Sequence, residues 1–373
     1  MKKKNILLMY ASKSTGHQHV AIAINKILNK FYPEEINISM LDSSYAYPVL
    51  SPLISKFYIE IISKVPQIWD YLYNNNDIKE ITQEIRDLFN FINIPKLEKL
   101  LKEYTPDIFI CTHALPTNII AYYKKNFNYN KPLICVVTDY AVHSYWINSE
   151  VNLYFVPNKE SKKYLIENGI EKNKIEISGI PVAPDFLIKT DKKLARKILG
   201  ISVEKFTVLI MGGSQGLGPL EEICEILMKN TTPDIQYLVV LGLNSSLLKQ
   251  LRKKIKHKNN FFIYGYVENV NLFMDASDIF ITKPGGVSIT EAIIKNLPII
   301  IVFPLPGQEK HNAAFLLKHK LVEKCDNIKS LWTIVYNYYK NSAKLNLYID
   351  RLKKFTKIYS EKKLTDTIMK FIK

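Results

Sequence analysis

Apolar residues along this chain fall into two kinds of run, and their alternation sets the fold class. Short, mainly apolar runs (Ile6 to Tyr10, Asp107 to Thr112, Leu133 to Thr138, Val151 to Val156) read as buried strands, and Ile36 to Leu41 as a second strand ending in Asp42. A strand covered on both faces has no polar side to show. Other stretches carry apolar residues three and four apart, the spacing of one helix face. The first, His17 to Leu28, brings Val20, Ile24, Ile27 and Leu28 together. After Lys205 the pattern restarts, with strands at Phe206 to Met211, Tyr237 to Leu241, Phe261 to Tyr264, Ile279 to Ile281 and Pro298 to Phe303. Helices are predicted from Pro219 to Lys229, where Pro suits the first turn, and from about Ser288 to Lys295. Such alternation predicts an α/β protein with parallel sheets.

The restart predicts two domains, 1–183 and 206–373, joined by a charged linker at 184–205 that holds a short helix at Lys192 to Leu199. The Lys-rich tail from Ser330 is helical and amphipathic, with Leu347, Leu352, Phe355 and Ile358 as its apolar residues. Its last helix is expected to pack back on the first domain. Residues 49–65 form a further amphipathic helix, with the pairs Val49/Leu50, Leu53/Ile54, Phe57/Tyr58 and Ile61/Ile62 opposite Ser51, Ser55, Lys56, Ser63 and Lys64. Such a helix usually covers a core. Its lysines and the following Trp69, Tyr71 and Tyr73 give the sharper alternative, a membrane-surface helix with Phe57 and Tyr58 on the lipid side.

Composition narrows the partners. The chain has 373 residues, 47% of them hydrophobic and 12% aromatic, enough for two folded cores, and a formal net charge of +16. That balance suits an anionic membrane surface or a polyanionic substrate. No Lys/Arg block with interleaved aromatics appears, so nucleic acid is not expected. The four cysteines (Cys111, Cys135, Cys224, Cys325) are far apart, without a Cys-x-x-Cys pair, as in a reducing compartment without a structural metal. The start, Met1-Lys2-Lys3-Lys4-Asn5, leads into too few apolar residues for a signal peptide. No run approaches the roughly 20 apolar residues of a membrane span. A cytoplasmic protein, peripheral at most to a membrane, is expected.

Polar residues collect where the strands end, and sheets of this kind take their ligands at strand carboxyl ends. In the first half these are Gly16 and His17, then His113, Asp139, His143 and Trp146. A histidine at a helix N-terminus is held neutral by the dipole and can act as a base, although capping would account for it equally well. In the second half Gly212-Gly213-Ser214-Gln215-Gly216-Leu217-Gly218 lies between a strand and a helix, a phosphate cradle without the Lys-Ser/Thr of a P-loop. Gly265-Tyr266-Val267 follows Tyr264 at another strand end, where backbone groups can read a uracil edge. Thr282-Lys283-Pro284-Gly285-Gly286 is a second glycine turn; Thr290 and Glu291 follow on its helix, with Glu291 suited to ribose hydroxyls. Gln308, Glu309 and Asn312 offer amide and carboxylate groups to a sugar. For a lone Gly-Gly turn the plainer reading would prevail; two polar loops on neighbouring buried strands favour a site.

The unbroken series Thr282-Lys283-Pro284-Gly285-Gly286, Ser288-Ile289-Thr290-Glu291-Ala292, Pro306-Gly307-Gln308-Glu309 and Asn312 resembles a known donor-site signature. It is that of the monogalactosyldiacylglycerol synthase and processive diacylglycerol glucosyltransferase group. Gly16-His17 with Ala21, Thr138-Asp139-Tyr140 with His143 and Trp146, and Gly179-Ile180-Pro181-Val182 are similar to that group as well. Lys13-Ser14-Thr15 departs from its more glycine-rich loop.

The resemblance implies a GT-B fold, two Rossmann-like domains facing across a cleft. It implies a UDP-sugar donor bound by the second half through Gly213, Ser214, Gln215, Gly216, Tyr264, Lys283, Gly285, Gly286, Thr290, Glu291, Gln308, Glu309 and Asn312, with Gly16 added from the first. A diacylglycerol or related glycolipid acceptor would meet His113, Asp139, His143, Trp146, Phe57 and Tyr58 at the inner face of the cell membrane. His17 would be the base of an inverting transfer. Backbone N–H groups, rather than a metal or other cofactor, would stabilise the departing UDP, and the chain has no Asp-x-Asp motif. Other readings of the same fold are a lipid II-type N-acetylglucosaminyltransferase, a UDP-sugar 2-epimerase and a non-catalytic binder.

Overall fold

The apolar runs of the first half become one parallel sheet. In the computed structural model, which describes residues 3–13, 15–43, 91, 93–255 and 258–372, its strands are β1 (Lys4–Tyr10), β2 (Ile36–Asp42), β3 (Ile108–Cys111), β4 (Leu133–Val136), β5 (Leu153–Val156) and β6 (Ile175–Ile177). The order across the sheet is β2-β1-β3-β4-β5-β6, and neighbours run parallel. β3, β4 and β5 are buried at every residue, which is why their sequences show no alternation. The helices between them are α1 (Gly16–Phe31), α2 (Ile94–Tyr104), α3 (Ala114–Phe127) and α4 (Lys159–Glu167). α1 buries Val20, Ala21, Ala23, Ile24, Ile27 and Leu28, the face that the apolar spacing predicts. The proposed surface helix at 49–73, with Phe57 and Tyr58, lies outside the described residues.

The second half repeats the plan. After the short helix α5 (Lys192–Ile198) come β7 (Phe206–Met211), α6 (Leu220–Asn230), β8 (Ile235–Val240), α7 (Ser245–Lys254), β9 (Phe261–Tyr264) and α8 (Val270–Ala276). β10 (Ile279–Thr282), α9 (Gly286–Ile294), β11 (Ile299–Val302), α10 (Gln308–Lys318) and β12 (Val322–Cys325) follow, then α11 (Leu331–Lys340), α12 (Ser342–Phe355) and α13 (Glu361–Met369). This sheet is ordered β12-β11-β10-β7-β8-β9. In each sheet the chain works outward from its first strand, then crosses back and works outward the other way. The two reversals fall between β1 and β3 and between β7 and β10, the positions at which open parallel sheets hold ligands.

The chain forms two compact units. One comprises residues 1–183, 306–308 and 358–373; the other comprises 184–305 and 309–357. Residues 184–205, expected as a linker, are instead built into the second unit by charge. Arg196 is buried and donates from Nε to Ala276 O at 2.9 Å, from Nη1 to Val203 O at 2.7 Å and from Nη2 to Asp278 Oδ2 at 2.7 Å. Lys192 reaches the other Asp278 oxygen at 2.6 Å. A charged segment looked like a solvated linker because its partners lie some 80 residues away in sequence.

The tail differs from expectation at one residue. Leu352 is fully buried but Leu347 is 52% exposed, since five residues along a helix turn about 140° from the buried side. α13 joins the first unit, where Glu361 pairs with Lys30 at 2.7 Å and Asp366 accepts from the Tyr32 hydroxyl. Among the described residues no helix is long and apolar enough to cross a membrane.

Candidate active site

His17 is the second residue of α1. Thr15 stands at the N-cap position, but its hydroxyl donates back to Ala11 O and Ser12 O rather than accepting from the helix. His17 does no capping either. Its Nδ1 lies 3.1 Å from Thr112 O and 2.9 Å from Thr138 Oγ1. Three neighbouring strand ends therefore converge on one imidazole: β1 leads into it, β3 supplies Thr112, and β4 supplies Thr138. His17 keeps some solvent exposure as a residue, yet its ring is packed deeply enough that burial takes its pKa down to about 4, against the opposing effect of the Thr112 bond.

The other two histidines of the group are the capping ones. His113 is the N-cap of α3, its Nδ1 accepting from Leu115 N at 3.0 Å; its ring meets that of His17 edge-on, with centroids 4.4 Å apart. Burial, then the neighbouring His17 and His143, keep its pKa well below the usual range. His143 caps the short turn Ser144–Trp146 through Tyr145 N at 3.2 Å. Buried Trp146 lies 6.2 Å from the His113 ring and 5.9 Å from that of His143. These three rings form one group beside His17, and Asp139, on the loop after β4, is buried. Gly16, expected on the donor side, opens α1 in this unit.

The loop carrying Thr138 and Asp139 is fixed from below by Asn158, at 4% exposure. Its Nδ2 donates to Tyr140 O at 2.7 Å and its Oδ1 caps α4 by accepting from Ser161 N at 2.8 Å. Asn158→Ala removes a buried bond and a cap together. We expect it to lower the unfolding free energy by about 2 kcal/mol in a denaturant titration; no loss would show that the loop is held elsewhere.

In the second unit the glycine turns after β7 and β10 are side by side. Gly216 has φ +61°, and a Cβ there would stand 2.1 Å from Leu241 O, so a side chain is excluded. The turn it closes carries Gly213, Ser214 and Gln215. Lys283 lies along both turns: a Cβ at Gly213 would be 3.5 Å from its Cε, and one at Gly285 would be 3.6 Å from its Nζ. Glu309 pairs with Lys283 through one oxygen and accepts from Leu305 N at 3.1 Å through the other. Fully buried Asn312 donates to Pro284 O at 3.2 Å, tying α10 to the turn.

α9 starts at Gly286, earlier than the predicted Ser288. Gly285, its extended N-cap, has no side chain with which to cap the first turn. Thr290 donates to Gly286 O at 2.7 Å. Glu291 is 7% exposed, and among the described residues no side-chain bond engages its carboxyl; burial alone raises its pKa to about 8. Tyr264 packs edge-on against Phe273, with centroids 4.8 Å apart. Gln308 opens α10 but belongs with residues 306–308 to the first unit. Sequence reasoning passed over two residues, Thr112 and Thr138. Their signals were the strand-end position that they share with His113 and Asp139 and, for Thr138, its place in the Thr138-Asp139-Tyr140 motif.

Comparison with known proteins divides the chain at the same place. The monogalactosyldiacylglycerol (MGDG) synthase family matches residues 17–182, and the glycosyltransferase family 28 C-terminal domain matches residues 207–362. A processive diacylglycerol beta-glucosyltransferase of Bacillus licheniformis is 30% identical over 314 residues, covering 84% of this chain and 80% of that protein. Among solved structures, Anabaena HepE in complex with UDP is 14% identical with a TM-score of 0.61 over 98% of each chain. The UDP complex of S. aureus MnaA is 13% identical with a TM-score of 0.64 over 100% of this chain and 97% of that one. At such identities these structures speak to the fold, which is of the GT-B type.

Proposed function

This chain belongs to the monogalactosyldiacylglycerol synthase family of family 28 glycosyltransferases, and on that footing we propose that it moves a hexose from a UDP-sugar to diacylglycerol or a related membrane glycolipid. The acceptor oxygen attacks the anomeric carbon from the face opposite UDP, so the configuration inverts. As that C–O bond forms and the bond to UDP breaks, His17 takes the acceptor proton and UDP leaves with the electron pair. Lys283 and the N–H groups of the two glycine turns meet the charge that grows on the diphosphate, with no metal in the scheme. Glu291 receives the ribose hydroxyls. His113, Asp139, His143 and Trp146 line the acceptor side. An anionic membrane surface supplies the lipid, and the +16 charge favours that location.

The observation that carries this reading is His17, an imidazole kept neutral by burial where three strand ends converge. Its test is a transfer assay on the whole protein with diacylglycerol vesicles and UDP-glucose, UDP-galactose or UDP-N-acetylglucosamine. A glycosyl-diacylglycerol with release of UDP is the expected product. Release of UDP without lipid, in the absence of vesicles, would point to an epimerase or hydrolase; UDP binding without turnover from any donor would leave only a binder.

A further inference from the structure

The two neighbours of His17 Nδ1 differ in what they can do. Thr112 O, at 3.1 Å, only accepts, whereas Thr138 Oγ1, at 2.9 Å, can accept or donate. A bare Nδ1 would set its lone pair against that of the Thr112 carbonyl. Nδ1 therefore carries the hydrogen and shares it between the two oxygens, and Nε2 is the bare nitrogen of the ring. The Thr112 hydroxyl is engaged elsewhere, donating to His17 O at 2.8 Å, so residue 112 holds both the backbone and the ring of His17. His113 is fixed by its own cap and meets His17 only through its ring edge. Thr138, at 2% exposure, is thus the partner of Nδ1 that a side-chain change removes.

We propose that Thr138 is a positioning residue for the transfer: its hydroxyl, with the Thr112 carbonyl, holds His17 with Nδ1–H inward and Nε2 as the base. This rests on His17 being the base. In Ser-His-Asp sites a carboxylate orients the imidazole and steadies its charged form. Here two uncharged oxygens do so. Once Nε2 has taken the acceptor proton, the ring is a cation and its bond to Thr138 becomes charge-assisted and stronger. A bond that strengthens along the reaction affects kcat more than substrate binding.

The test compares Thr138→Val, Thr138→Ser and His17→Ala in the transfer assay with UDP-glucose and diacylglycerol vesicles, alongside nitrogen NMR of 15N-histidine-labelled whole protein. Thr138→Val is expected to lower kcat about tenfold with the KM for UDP-glucose nearly unchanged, and Thr138→Ser to recover most of it. In the wild type, His17 should report protonated Nδ1 and bare Nε2; in Thr138→Val the Thr112 carbonyl still holds that tautomer, and the Nδ1 signal should shift with the loss of its second acceptor. Wild-type kcat in Thr138→Val would overturn the proposal, and so would an equal loss in Thr138→Ser. Should Thr138→Val not fold, a wild-type His17 with its hydrogen on Nε2 would overturn it without any variant. Wild-type rates in His17→Ala would instead remove the base itself, and the role of Thr138 with it.

Discussion

His17→Ala should reduce kcat for lipid glycosylation by roughly 10²–10⁴ while leaving UDP binding intact, because a positioned general base contributes about that much. The separation of the two effects follows from the fold. His17 belongs to the first unit, whereas both glycine turns, Lys283 and Glu291 belong to the second. Calorimetry of the variant with UDP should give the wild-type affinity. A kcat within a few-fold of wild type would place the base elsewhere, with buried Asp139 the next candidate.

The pH dependence provides a second check on the same residue. With a pKa lowered to about 4, His17 is neutral throughout the physiological range. At saturating donor, kcat should show no titration of this group near its ordinary value of 6.5, and this group should lower it only as pH approaches 4. The effect on stability has the same direction. A histidine whose folded pKa lies below its unfolded one contributes stability present above pH 6.5, lost as pH falls through about 4.

Residues whose chemistry depends on local spacing could be read from the sequence. The apolar runs of β3 to β5, the face of α1 and the two glycine turns are short-range patterns, and each came out as an element or turn near the expected position. Sheet order is a different matter. All these strands are similar apolar runs, so nothing in them states that β3 lies beside β1 or β10 beside β7. The partners of His17 come from 95 and 121 residues away, and only that strand order brings them to Nδ1. For the same reason position alone does not tell which histidines cap: His113 and His143 do, and His17 does not. Charge misleads as well: the segment 184–205 reads as a charged linker, yet its Arg196 is paired with Asp278. The Lys283–Glu309 pair likewise joins two motifs that the sequence presents as separate.

Glu291→Ala should weaken UDP binding by about 100-fold or more, since each hydrogen bond to a carboxylate is worth roughly 1.5–3 kcal/mol and a ribose offers two hydroxyls. The pH dependence of that binding is more diagnostic than its size. Burial raises the Glu291 pKa to about 8, so the free protein at neutral pH holds this carboxyl mainly protonated. Ribose hydroxyls donate best to the ionised form, so binding expels the proton. UDP affinity should therefore rise with pH and level off above about 8. Titrations near pH 7 in two buffers of different ionisation enthalpy should reveal proton release on UDP binding. Glu291→Gln should abolish it.

Stability should run the other way. A carboxyl whose folded pKa is raised contributes stability present below its unfolded value of 4.5, lost as pH rises through about 8. At pH 9 the free Glu291→Ala protein should thus melt above the wild type, although it binds UDP less well. A variant that lost affinity and melting temperature together at that pH would show Glu291 to be a structural residue. A wild-type UDP affinity that did not change with pH would remove its carboxyl from the donor site.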